Sequence, residues 1–260
     1  MTNRIAQVLL FFAFVLPVFA SQAGELNTAA ETQMVRASWE DARRIYLKLH
    51  GVLEKTLGPE DPQTVLALAN ACDASVPLAT RLNSIAICTR ALELNEKLAP
   101  DSTDTVKTMS DLALLYAAEG DSNHAAKLLE RALRITGTSP TGQAAPVAAG
   151  LMNNLGTIYF RKGKYTQSRE MFEHAVAAVG SGVTADGSDL VTMLSNLGNA
   201  ELAAHDAGAA ERDFRRALSI AKTSFGPNHV KYIQALNNLS RAEAALGNKA
   251  NALTSSAAMP

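Results

Sequence analysis

The chain has 260 residues, of which 47% are hydrophobic and 5% aromatic, and its net charge is −1 from 24 basic and 25 acidic residues. This balance disfavours a nucleic-acid-binding protein, because such proteins usually carry a basic excess on one face. The high Ala and Leu content, with most prolines lying between helix-like segments, favours an all-helical fold.

The first twenty residues differ from the rest of the chain. Arg4 is their only charge, and Ile5 to Ala20 is apolar apart from Gln7. Small residues precede a cleavage point after Ala20 and an alternative one after Ala23. The pattern predicts a signal peptide over residues 1–20 and a secreted or periplasmic protein. An uncleaved anchor is the alternative, but the apolar run of 16 residues is shorter than the ~20 that a spanning helix needs.

A pair of residues that begins with Leu or Ala and continues with a small residue recurs along the chain. These pairs begin at Ala71, Leu112, Leu155, Leu197 and Leu239, at intervals of 41, 43, 42 and 42 residues. So regular an interval indicates stacked units, none of which can bury its apolar face alone.

Each unit predicts two helices, as the one near 149–189 illustrates. Gly156 and Tyr159 lie in its first apolar stripe, and Ser168 and Phe172 lie in its second. The small residues allow the two backbones to approach closely, and the aromatic rings fill the space on either side. We therefore expect these residues to form a packing spine and Phe172 to be buried.

The recurring residues resemble the tetratricopeptide repeat, whose signature is L-G-x2-Y followed by A-x3-F-x2-A. The unit near 149–189 and the unit after it carry most of that signature: Leu155, Gly156, Tyr159, Ser168, Phe172 and Ala175, then Leu197, Gly198, Ala210, Phe214 and Ala217. The segments "LGPEDP" from Leu57 and "FGPNHV" from Phe225 resemble the linkers of the 42-residue, kinesin-light-chain type of this repeat.

The resemblance implies an all-α fold, a right-handed α-solenoid of tetratricopeptide-type helix pairs over residues 25–258. Its units are expected near 25–62, 65–104, 106–146, 149–189, 191–230 and 233–258. Two linkers, 136–146 and 180–189, depart from the linker signature and are rich in Gly, Pro, Ser and Thr. They are interpreted as solvent loops, or alternatively as a hinge or partner contact.

No sequence motif of an enzyme or metal site is present: there is no Gly-rich phosphate loop, H-E-x-x-H or G-x-S-x-G. The five histidines occupy different repeat positions and form no ligand-like pairs. We therefore predict no catalytic residue, no metal site and no cofactor. Glu201 and Glu243 replace the aromatic residue at equivalent repeat positions, and we interpret them as paired or partly exposed charges at repeat interfaces.

Asparagine recurs at one repeat position, directly before the pair that marks each unit. The set is Asn70, Asn154, Asn196 and Asn238, with Asp111 at this position in another unit. Asparagine is a mediocre helix former, so its recurrence within a helix suggests a shared role. Its amide could brace the neighbouring repeat or bind the backbone of an extended peptide, and the sequence leaves both roles open.

A second polar set lies on another face of the same first helices. In the tetratricopeptide family the first helices line a concave groove, so the resemblance implies a peptide-binding set there. That set is Asn153, Asn154, Arg161, Ser195, Asn196, Asn199, Asn237 and Arg241. It lacks the regular Lys/Asn array that clamps carboxylate tails.

Cys72 and Cys88 are the only cysteines. Outside the cytoplasm a disulfide between them could replace the missing aromatic packing of their unit. A turn centred near 77–80 would instead place Cys72 about one helical turn out of register, beyond the ~7 Å limit between Cα atoms. A disulfide and two buried free thiols both remain open.

The sequence thus predicts a non-enzymatic adaptor or scaffold of the periplasm or cell envelope that binds a protein or extended peptide. Neither nucleic acid nor, after signal cleavage, a membrane is an expected partner. The alternative is an accessory or regulatory subunit of a secreted enzyme complex. The oligomeric state is open.

Overall fold

A computed structural model of the chain describes residues 16–78, 81–137, 144–180 and 187–247. In these ranges the structure contains eleven α-helices and no strand. The helices are α1 Leu16–Val35, α2 Trp39–Leu57, α3 Pro62–Asp73, α4 Arg81–Leu98, α5 Thr103–Ala118, α6 Ser122–Thr136, α7 Ala144–Arg161, α8 Tyr165–Gly180, α9 Gly187–Ala203, α10 Ala207–Phe225 and α11 Val230–Ala245. The all-α prediction is confirmed.

The chain forms two compact units, Met1–Asp121 and Ser122–Pro260. In each unit every helix packs against the next one along the chain. In the first unit α3 also contacts α5, and in the second α7 contacts α9 and α9 contacts α11. The first helices of successive pairs therefore lie side by side, as expected for stacked tetratricopeptide-type pairs.

Two glycine–phenylalanine contacts hold the helix pairs of the second unit together. A Cβ added to Gly156 would lie 2.8 Å from the ring of Phe172, and one added to Gly198 would lie 2.6 Å from the ring of Phe214. The two rings are 2% and 0% exposed. Ser168 Oγ donates a buried hydrogen bond of 2.8 Å to the carbonyl oxygen of Gly156. The predicted packing spine is confirmed for Gly156, Ser168 and Phe172, whereas Tyr159 is only half-buried.

The two linkers that carry the kinesin-light-chain signature share one way of ending and starting helices. Gly58 and Gly226 follow α2 and α10 with φ of 100° and 83°, values that glycine adopts without strain. Asp61 and His229 then cap α3 and α11, each accepting a hydrogen bond from the backbone N–H two residues further on. The signature therefore marks helix boundaries.

Cys72 on α3 and Cys88 on α4 form a disulfide, and their Cα atoms are 4.8 Å apart. The register argument against this pairing was wrong. Hydrogen-bonded turns follow α3 as far as Leu78 and α4 begins at Arg81, and with this chain path Cys88 lies opposite Cys72. Both residues are fully buried.

Some predicted features lie wholly or partly outside the described residues. They are residues 1–15 of the predicted signal peptide, most of the two Gly-rich linkers and the last part of the final unit. Helix α1 begins at Leu16 and continues past both predicted cleavage points. None of the described helices is both long and apolar enough to cross a membrane.

Candidate functional site

A cleft lined by both polar and apolar side chains lies in the second unit, where the first helices α7, α9 and α11 meet side by side. It consists of two adjoining cavities of about 510 and 310 Å³ that share Asn196 and Asn199. The larger cavity also contains Thr157, Phe160, Phe172, Leu202, Ala203 and Arg241. The smaller one also contains Val191, Thr192, Ser195, Lys231, Gln234, Asn237 and Asn238.

Side-chain hydrogen bonds connect the three helices within this cleft. Asn196 Nδ2 donates to Asn153 Oδ1 at 2.9 Å and so joins α9 to α7. Arg241 Nη1 donates to Asn199 Oδ1 at 3.0 Å and to Asn238 Oδ1 at 3.3 Å, which joins α11 to α9. The side chain of Asn196 therefore braces the neighbouring repeat, which is one of the two roles that the sequence leaves open for the recurring asparagine. An amide has two donor hydrogens and two acceptor lone pairs, so bracing leaves it capacity for a ligand.

The structure brings together most of the predicted groove residues. Ser195, Asn196, Asn199, Asn237 and Arg241 line the cleft, and Asn153 is joined to it through its bond to Asn196. Asn154 and Arg161 line neither cavity. Six of the eight predicted residues therefore lie in or next to the cleft, and the other two lie outside it.

Sequence analysis missed Lys231 and the apolar wall of the cleft. Lys231 Nζ donates to Thr192 Oγ1 at 2.9 Å and to the carbonyl oxygen of Ser188 at 3.0 Å. It precedes Gln234 by three residues, so helical spacing could have placed it on the same face. The apolar wall could not be found this way, because Phe160 and Leu202 come from different helix pairs.

The charged residues that line the cleft are both basic. Its charged wall residues are Lys231 and Arg241, and no carboxylate is among the residues described as lining either cavity. Because these cations lie among neutral amides, the cleft is suited to neutral polar or anionic groups.

The corresponding surface of the first unit has a different character. Asp111 occupies the asparagine position there and is 8% exposed. Burial, and then the nearby charge of Asp73, raise the pKa of Asp111 to about 7, while Lys107 opposes that rise. Asn70 lies elsewhere in this unit, in a mostly apolar cavity of about 530 Å³. The recurring asparagine therefore does not define one uniform surface.

The two glutamates at the aromatic position are both buried, each with 4% exposure. Glu243 Oε1 lies 3.5 Å from Arg215 Nη2, so the interpretation as a paired charge holds for it. Glu201 differs, because its Oε2 has no hydrogen-bond partner among the residues that the structure describes. In the described ranges no group of His, Cys, Asp or Glu side chains is arranged to hold a metal ion.

Comparison with proteins of known sequence identifies the repeat. Tetratricopeptide-repeat family models match residues 82–136, 148–178 and 189–255. Protein KINESIN LIGHT CHAIN-RELATED 2 of Arabidopsis thaliana is 22% identical over 219 residues, which are 84% of this chain and 33% of that protein. A clustered mitochondria protein homolog of Culex quinquefasciatus is 27% identical over 159 residues, or 61% of this chain and 12% of that protein. The chain thus spans about a third or less of the length of these relatives.

Solved structures show the same fold at low sequence identity. The kinesin light chain TPR-like repeats of Podosopora anserina are 16% identical with a TM-score of 0.66, covering 77% of this chain and 95% of that chain. BtubC (BKLC) from P. vanneervenii is 22% identical with a TM-score of 0.65, covering 87% and 88%. Since the family models match more than half of its residues, this chain belongs to the tetratricopeptide-repeat family.

Proposed function

We propose that this protein is a non-enzymatic adaptor or scaffold whose cleft between α7, α9 and α11 binds an extended segment of another protein. Tetratricopeptide repeats are in general modules for protein–protein interaction, which supports the class of function. The observation that favours the cleft is its composition, since amides and two cations line adjoining cavities in which no carboxylate is described.

An extended segment offers one N–H and one C=O group at each residue other than proline. The amides of Asn196, Asn199 and Asn237 supply both kinds of partner. Lys231 and Arg241 add positive charge, which favours a segment with acidic side chains. The hydrogen bonds of Arg241 to Asn199 and Asn238 both use Nη1, which leaves the other N–H donors of the guanidinium group for a ligand.

Substitutions in the cleft are expected to weaken binding of peptides selected from a phage-displayed library of random acidic segments. Asn237 is exposed and lines the cleft, and its side chain makes no hydrogen bond to the described residues, so Asn237→Ala should reduce affinity with little change in melting temperature. Arg241→Ala should weaken acidic peptides by about 1–3 kcal/mol, and more strongly at low salt, where screening is least. Isothermal titration calorimetry measures both effects.

Residues outside the cleft provide matched controls for these two substitutions. Asn228 is exposed in the linker before α11, and Arg161 is exposed at the end of α7 and lines neither cavity. Asn228→Ala and Arg161→Ala should therefore change affinity less than their cleft counterparts. Asn196→Ala should lower both stability and affinity, because Asn196 also braces Asn153. Unchanged binding by a combined Asn237→Ala and Arg241→Ala variant would refute the cleft as the binding site.

We further propose that the protein acts in the periplasm or outside the cell, on the strength of the apolar, weakly charged pattern of residues 1–20. A fusion of residues 1–30 to a reporter that is active only outside the cytoplasm should give signal. The mature chain should begin at Ser21 or Gly24, as read by N-terminal sequencing. An intact Met1 on a soluble cytoplasmic protein would contradict export.

The partner itself can be identified by crosslinking the mature protein in its native compartment. Several different partners, captured transiently, would support the adaptor function. One partner that co-purifies in fixed proportion would instead support the accessory or regulatory subunit.

A further inference from the structure

In the second unit, a cation on one first helix bridges two amides. Arg241 of α11 donates to Asn199 Oδ1 on α9 at 3.0 Å and to Asn238 Oδ1 on its own helix at 3.3 Å. Asn238 holds the recurring asparagine position, and Asn199 lies three residues after that position in α9. Because both acceptors are neutral, this group of side chains carries a net positive charge.

The first unit has a comparable arrangement in which carboxyl groups replace the amides. Lys107 of α5 donates to Asp73 Oδ2 on α3 at 2.8 Å. Asp73 lies three residues after the recurring position of α3, and Asp111 holds that position in α5, four residues after Lys107 and on the same helical face. One cation therefore faces two acids, and the net charge at these repeat positions is reversed when both acids are ionised.

Asp111 is the acid that this arrangement leaves without a hydrogen-bond partner. It is 8% exposed, and its carboxyl group makes no hydrogen bond to the residues that the structure describes. Lys107 is the cation near it, and the ammonium group of Lys107 is bonded to Asp73. Burial of a carboxyl group without a donor is costly, so a ligand that supplied a donor would remove that cost.

Asp73 adds to the negative potential at the same place. It is the last residue of α3, where the helix dipole contributes partial negative charge, and its side chain is 31% exposed. Lys107 is 54% exposed, and an ion pair as exposed as this one contributes little to stability. Asp104, one turn before Lys107, is a further acid whose charge acts on that lysine. The surroundings of Lys107 therefore favour a second cation.

We propose that Asp73 and Asp111 bind a basic side chain, the guanidinium group of an arginine or the ammonium group of a lysine, from a segment of a partner protein. Lys107 neutralises one of the two carboxylates, and the partner's cation neutralises the other. Arginine fits best, because its planar fork of N–H donors can serve acceptors on two helices. This site lies in the first unit, and it is a second interaction surface beyond the cleft of the proposed function.

A basic side chain fits this site better than a metal ion does. Calcium takes six to eight oxygen ligands, whereas two carboxyl groups face each other here. Within the described ranges no group of three or more His, Cys, Asp or Glu side chains is arranged to hold a metal.

Peptides selected on the purified protein from a phage-displayed library of random basic segments provide the probe. Each selected peptide is synthesised with arginine and again with citrulline, which has nearly the same shape but carries no charge. Isothermal titration calorimetry is carried out at about pH 8, above the pKa of about 7 of Asp111. Citrulline at the contacting position should lower the affinity by about tenfold or more, since a charge-assisted hydrogen bond is lost.

Variants of the two acids test whether the peptides bind at this site. Asp111→Asn restores the amide that the other repeats carry and should weaken peptide binding by about tenfold or more. The urea midpoint of the same variant should stay the same or rise, because a buried carboxyl group without a partner is removed; a merely structural role would lower it. Asp73→Asn should also weaken binding. Glu93→Gln removes the same charge from an exposed position on α4 and should leave the affinity unchanged.

Lys107→Met tests the role of the internal cation. Methionine keeps much of the apolar stem of the lysine but leaves both carboxyl groups without a cation. Basic peptides should therefore bind several-fold more tightly to this variant than to the wild type.

Several results would overturn the proposal. They are selection of no basic peptide, equal affinity of the citrulline peptides, unchanged affinity in Asp111→Asn, weaker binding in Lys107→Met, or binding of calcium ions in place of any peptide. Arg241→Ala separates this site from the cleft, since it should weaken the acidic peptides and leave the basic ones unaffected. If acidic peptides fail to bind while basic ones depend on Asp111, the proposed function fails and this site stands, and the reverse result has the opposite meaning.

Discussion

Replacement of Phe172 by alanine is expected to lower the free energy of unfolding of the second unit by about 3–5 kcal/mol. The ring is 2% exposed and lies so close to Gly156 that a single added Cβ would be 2.8 Å from it. Its removal deletes a large buried apolar group and leaves a cavity between α7 and α8, which the surrounding helices can fill only in part. Urea unfolding followed by circular dichroism measures the loss.

Three further variants test whether this loss of stability comes from the contact between Phe172 and Gly156. Phe214→Ala should cost about as much, because Phe214 makes the same contact with Gly198. Tyr165→Ala removes an aromatic side chain that is 37% exposed and meets the ring of Phe160 edge-on at 5.4 Å, so it should cost less than Phe172→Ala. Gly156→Ala should cost about 1–3 kcal/mol in the wild type through overpacking, but less in the Phe172→Ala background, where the added methyl group occupies vacated space. Additive losses in this double-mutant cycle would contradict the proposed contact.

The packing spine could be predicted from the sequence because it repeats. Each helix pair has to pack in the same way, so Gly156 and Phe172 return as Gly198 and Phe214 at a constant interval. For contacts within a helix pair, one residue of a repeat therefore predicts the packing of its counterpart. The same regularity located the first helices, and with them the helical face on which most of the predicted cleft residues lie.

The details of the cleft could not be predicted, because they depend on which helix pair each position faces. Asn154 and Asn196 occupy the same repeat position, yet only Asn196 lines the cleft. Glu201 and Glu243 are likewise equivalent in sequence, but Glu243 lies against Arg215, whereas Glu201 Oε2 has no hydrogen-bond partner among the described residues. The decisive partner comes from a neighbouring helix each time, and a single repeat does not specify it.

The position of Cys88 shows a further limit of sequence-based prediction. Its register with Cys72 depends on the path of the chain between α3 and α4, and the hydrogen-bonded turns as far as Leu78 could not be derived from helix propensity. A helix-pair signature fixes which helices are neighbours, but the turn between them sets which residues lie opposite each other.

Loss of the disulfide between Cys72 and Cys88 is expected to destabilise the first unit by about 3 kcal/mol, on the model in which the bond restricts the unfolded chain. The bond joins residues separated by 16 positions in the α3–α4 helix pair, which has no aromatic residue. Cys72→Ala with Cys88→Ala, or the wild type under reducing conditions, should unfold at a lower urea concentration.

The repeat architecture supplies an internal control for this experiment. Because each repeat contacts only its neighbours, hydrogen-exchange protection of the amides in α9 and α10 should change little when the disulfide is lost, while that in α3 and α4 falls. Export and the bond are also linked, since disulfides persist in oxidising compartments. Alkylation of unfolded, unreduced protein purified from its native compartment should modify no cysteine, and two modified thiols would contradict both the bond and its contribution to stability.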